Sequence, residues 1–88
     1  MGGGMRCEVF KSRKQQETYV YLEKGTPRED LPQILRDLMG ELTFVMELEI
    51  SEQTRLAREK PVLVLENIKK QGFHLQLAPK ITTKKRAE

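Results

Sequence analysis

Eighty-eight residues allow one domain and exclude a chain built of several. With 38% hydrophobic and 33% charged residues the chain can fold round a core, yet its longest apolar run, Val62-Leu63-Val64-Leu65, is far short of the roughly 20 residues that cross a membrane. The net charge of +3 sits in the last nine residues, which hold four of the sixteen basic side chains and one of the thirteen acidic ones; the remaining twelve and twelve cancel, which weakens any step from basic composition to a nucleic-acid-binding body.

The glycine-rich start, residues 1–5, predicts a flexible N-terminus, and Met1 to Arg6 contain no apolar segment of the kind an export signal needs. A cytoplasmic protein is expected. Cys7 stands alone, so neither an internal disulfide nor a cysteine-rich zinc site is available. From Arg6 to Lys11 and from Thr18 to Glu23, β-branched and aromatic residues alternate with polar ones on either side of Ser12-Arg13-Lys14-Gln15-Gln16, which reads as a β-hairpin. Asp30-Leu31-Pro32 predicts a helix start, with Leu31, Leu35, Leu38 and Met39 on one face and Gly40 as the stop.

Glu41 to Ile50 is the clearest strand, Leu42, Phe44, Met46, Leu48 and Ile50 alternating with Thr43, Glu47 and Glu49. Ser51 to Glu59 is polar, with Leu56 and Ala57 offering a local packing contact. Pro61 to Gln71 has a strand-like core in Val62 to Leu65 but the flanks and length of a helix, and is read as one, with Val62 and Leu63 packing against Ser51 to Glu59 in preference to forming a protein-binding patch. Phe73 to Leu77 alternates again before Ala78-Pro79, and residues 80–88 form a basic, flexible tail. The order ββαβαβ predicts an α+β domain over residues 6–79, a mixed four-stranded sheet packed with two main helices.

Cys7, Ser12-x-Lys14, Thr18-Tyr19-Val20-Tyr21, Leu31-Pro32, Gln71-Gly72-Phe73 and Leu75-Gln76-Leu77-Ala78-Pro79 together resemble the YcgL family of small bacterial proteins, from about Met5 to Pro79. The chain departs from that pattern at Ala78, where relatives commonly carry a further proline. The resemblance implies a small α/β domain around a four-stranded sheet in bacterial cytoplasm, and it implies no activity.

Period-two alternation sorts the strand residues into two faces. One collects Cys7, Val9, Val20, Leu22, Leu42, Phe44, Met46, Leu48, Phe73, Leu75 and Leu77, and is taken as the core. The other collects Glu8, Phe10, Tyr19, Tyr21, Thr43, Val45, Glu47, His74 and Gln76. Bordered by Lys11, Arg13 and Lys14 of the hairpin turn, the second face is the candidate binding surface, formed by Phe10, Lys11, Arg13, Lys14, Tyr19, Tyr21, His74 and Gln76. A protein partner is expected there ahead of RNA, because glutamates on the same side repel phosphate and because aromatic rings on a sheet more often pack beneath a helix than stack bases. An enzyme using Cys7 and His74 is the distant alternative, since alternation sets them on opposite faces. His74 has no metal-binding partners that spacing can place, no glycine-rich phosphate loop follows a strand, and neither a metal nor a cofactor is expected.

Overall fold

The structure is a computed structural model describing residues 4–56 and 59–78. Strands β1 (Met5–Ser12) and β2 (Tyr19–Glu23) form the hairpin; a 3-10 turn at Arg28–Asp30 leads into helix α1 (Gln33–Met39); β3 (Leu42–Ile50), helix α2 (Pro61–Gln71) and β4 (His74–Gln76) follow. Met5, expected in a flexible start, is the first residue of β1 and pairs with Ile50. Residues 1–3, Ala57 and the basic tail 80–88 lie outside the described residues.

The strands lie in the order β3-β1-β2-β4, and every neighbouring pair is antiparallel, which corrects the expected mixed sheet. β2 and β3 do run the same way, as a helical crossover demands, but β1 is inserted between them, so no parallel pair forms. α2 ends on Gly72 at φ 94°, a left-handed stop that glycine adopts without strain. α1 is shorter than its predicted stripe: Leu35 and Met39 are buried, Leu38 is half exposed, and Leu31 is buried from the turn ahead of the helix.

Both faces of the sheet are covered, and this overturns the sorting by alternation. Cys7, Val9, Tyr21 and Ile50 pack under Val64, Leu65 and Ile68 of α2, joined by Leu48 and by Leu56 from the following segment. Phe10, Val20 and Leu22 pack on the opposite side with Leu31, Leu35 and Met39, joined by Leu42 and Leu75. In the hairpin Val9 stands opposite Tyr21 and Phe10 opposite Val20, and cross-strand partners share a face, so Cys7 and Val9 go with the tyrosines and not with Val20 and Leu22. Hydrophobicity could not separate the faces, because each buries its own apolar set. Val62 and Leu63, expected against Ser51 to Glu59, remain half exposed.

A second irregularity sits in β3. Val9 pairs with Met46 but Phe10 with Phe44, leaving Val45 as an extra residue, a β-bulge. The phase of the strand reverses across it: Leu42 and Phe44 share the α1 side with Phe10, whereas Met46, Leu48 and Ile50 face the α2 side. Glu47 and Glu49 are thereby carried to the α1 side. There Lys24 and Arg6 reach Glu47 at 3.3 and 3.2 Å and Arg6 approaches Glu49 at 3.8 Å, and the hydrogen bond from Lys24 foremost holds the Glu47 carboxyl below the usual carboxylate range.

Candidate binding site

The α2 side of the sheet brings five of the predicted site residues together in two rows. Tyr19 stands between Lys11 and Gln76, and Tyr21 between Val9 and His74.

The Tyr21 row is closed. Tyr21 and His74 are 8% and 4% exposed. Asn67 on α2 approaches His74 Nδ1 through its Nδ2 at 2.9 Å, and Glu59 Oε1 lies 2.6 Å from Nε2. The two partners occupy both ring nitrogens and leave neither open to a ligand. The Tyr21 ring meets His74 edge-on with centroids 5.5 Å apart, and its hydroxyl donates to Gln76 Oε1 at 2.9 Å. A ring held in this way offers no face for base stacking.

The Tyr19 row is open. Beside it lies a groove of about 400 Å³, floored by Val9, Tyr19, Tyr21 and Gln76 and walled by Val45, Met46 and Leu48 of β3 and by Arg55 and Leu56. The bulge builds its far wall, turning two consecutive apolar side chains, Val45 and Met46, onto one side at 40% and 49% exposure. None of the lining residues is acidic.

The hairpin turn borders this region and is tied to α1 through Ser12. Its hydroxyl donates to the Met39 carbonyl at 2.6 Å and accepts from the backbone N–H groups of Lys14 at 3.1 Å and Gln15 at 2.8 Å. Lys14 donates to the Asp37 carbonyl at 3.1 Å and Arg13 lies 3.9 Å from Glu41, so two of the three cations in the predicted site are engaged across to α1 and to the residue that precedes β3. Phe10 lies elsewhere. It is buried on the α1 side, edge-on to Phe44 at 5.8 Å with the Arg28 guanidinium 5.3 Å from its ring centre, so the eight predicted residues do not form one surface.

Cys7 and His74 share a face, contrary to the alternation, but they are not coupled. The Cys7 thiol contacts the Met5 carbonyl at 3.5 Å, and both imidazole nitrogens are committed to Asn67 and Glu59. Burial, with Glu23 adding to it, pushes the thiol from 9.0 up to about 11. At pH 8 the thiolate fraction should thus fall roughly 100-fold below that of an ordinary thiol, and iodoacetamide should alkylate the native protein at least that much more slowly than the urea-unfolded chain. Equal rates would show an accessible, ionisable thiol.

The profile of the YcgL domain matches residues 7–79. The chain is similar to a YcgL domain-containing protein of Thioalkalivibrio sulfidiphilus, 37% identical over 75 residues that cover 85% of this chain and 93% of the relative. It is likewise similar to YcgL domain-containing proteins of Pseudomonas paraeruginosa, 41% identical over 73 residues covering 83% and 75%, and of Pseudomonas putida, 37% identical over the same span.

Proposed function

The chain belongs to the YcgL family, and on that premise we propose that it is a non-catalytic protein-binding module of the bacterial cytoplasm, receiving its partner on the open half of the α2-side sheet face, beside the hairpin turn. The observation that supports this reading is the groove in which the bulged edge strand turns Val45 and Met46 toward Tyr19, with no helix among the described residues to cover them. A half-exposed apolar wall beside a tyrosine is the composition that recurs at the centre of protein interfaces. A binding role also accords with the buried, weakly acidic thiol and with a histidine whose nitrogens are both occupied.

Within the expected surface, Tyr21 is core, whereas Tyr19 is only partly buried against it and is the tyrosine more open to substitution. A photo-crosslinking residue placed at Met46 should capture a protein partner in cells of the native host, whereas the same residue at Ile34, 81% exposed on α1, should not. Tyr19→Ala should abolish that adduct while lowering the unfolding free energy by no more than about 2 kcal/mol. Capture from Ile34 alone would move the interface to the α1 side and sink the proposal.

A further inference from the structure

We infer that the groove takes an acidic segment of the partner, an extended peptide with apolar side chains seated between Tyr19 and Met46 and carboxylates meeting Arg55 and Lys11; this rests on the protein-binding reading above. Arg55 lines the groove and Lys11 adjoins it as the strand neighbour of Tyr19, and neither has an acidic partner among the described residues. Elsewhere on the sheet the opposite holds: Arg6 and Lys24 are matched by Glu47 and Glu49.

The bulge makes this asymmetry. Had β3 alternated strictly, Glu47 and Glu49 would share a face with Val45 and Thr43; the extra residue sends them to the α1 side, so the groove keeps its cations and loses its anions. A third feature points the same way. Gln76 is 8% exposed on the groove floor with its oxygen taken by Tyr21, and its amide Nε2 has no partner among the described residues, which makes it a donor awaiting an acceptor. Cations at the border, a donor on the floor and apolar walls together suit carboxylates carried on an apolar chain. A peptide fits better than RNA, because Tyr21 presents no ring face and Tyr19 alone makes a poor stacking platform.

The test uses the full chain, 15N-labelled at low salt, and three probes: acetyl-Glu-Leu-Glu-Leu-Glu-Leu-amide, the same peptide with lysine for glutamate, and a short oligouridine. The acidic peptide should shift the resonances of Tyr19, Met46 and Leu48 and bind about three- to tenfold more tightly than the lysine peptide, a preference that the double variant Lys11→Glu, Arg55→Glu should reverse and that added salt should erode. Equal affinity for the two peptides, a ranking untouched by charge reversal, or no shift with either peptide would overturn the acidic occupant while leaving the Met46 crosslinking result to stand or fall on its own. Oligouridine moving these resonances where the acidic peptide does not would overturn the acidic-peptide assignment in favour of a nucleic-acid site.

Discussion

Ile50→Ala is expected to destabilise the protein by about 2–5 kcal/mol, because Ile50 is fully buried among Val64, Leu65 and Ile68 in the α2-side core. Deletion of Val45 should cost far less, no more than about 2 kcal/mol, since it takes out the extra residue and leaves Leu42 and Phe44 alternating toward α1 and Met46, Leu48 and Ile50 toward α2 as before. Val45→Ala retains the residue count and removes only a half-exposed side chain, so it should cost less than about 1 kcal/mol. Urea unfolding of the three variants side by side separates loss of the bulge from loss of a core side chain. A deletion variant as unstable as Ile50→Ala would show that the faces of β3 depend on the bulge itself.

The second large effect should come from His74→Phe, which keeps an aromatic ring against Tyr21 and removes both ring nitrogens. Asn67 and Glu59 then lose the partner that they hold at 2.9 and 2.6 Å. Each abandoned polar group costs about 1–3 kcal/mol when it stays out of water; Glu59, at 18% side-chain exposure, recovers part of its share by rehydration, which sets the expected loss near 2–4 kcal/mol. Glu59→Gln supplies the control, since its amide still hydrogen-bonds with Nε2, and it should cost less than half as much. Two variants of equal stability would mean that the charge on Glu59, and not the hydrogen-bond chain, carries the interaction. The structural consequence is local: the hydrogen-bond chain links β4 to α2 and to Glu59, two residues ahead of it, so the His74→Phe protein should lose hydrogen-exchange protection first at the start of α2.

Most of the elements were legible in the sequence because their signals were local. Pro61 and Gly72 bracket α2 despite the strand-like Val62 to Leu65, and the polar run after Ser12 separates the hairpin strands. What escaped was relative: which strand neighbours which, and which residues share a face. A two-sided sheet gives an apolar residue no preferred side, so pairing Cys7 and Val9 with Val20 and Leu22 was as plausible from composition as the true register with Tyr21. The bulge did leave a trace, since Phe44-Val45-Met46 is a run of three apolar residues inside an otherwise alternating strand. Asn67 left one as well, falling three residues after Val64 and beside Ile68 on the buried side of α2. Glu59 left none, because its contact with His74 spans fifteen residues and depends on how the segment after β3 folds back. Of the predicted site, Tyr19 and Lys11 remain at the open groove, Gln76 lies on its floor, His74 and most of Tyr21 are interior, and Phe10 is on the other side.

The bulge also bears on how the protein behaves in a crowded solution. β3 is an edge strand nine residues long that displays Phe44, Val45 and Met46 in a row, a combination that in a flat strand invites edge-to-edge stacking into fibres. An inserted residue breaks the even spacing of the outward N–H and C=O groups and adds twist, so a second strand cannot zip along the whole edge. The opposite edge, β4, is only three residues long. The same irregularity that leaves apolar side chains in view thus keeps the backbone beneath them from serving as a template for aggregation.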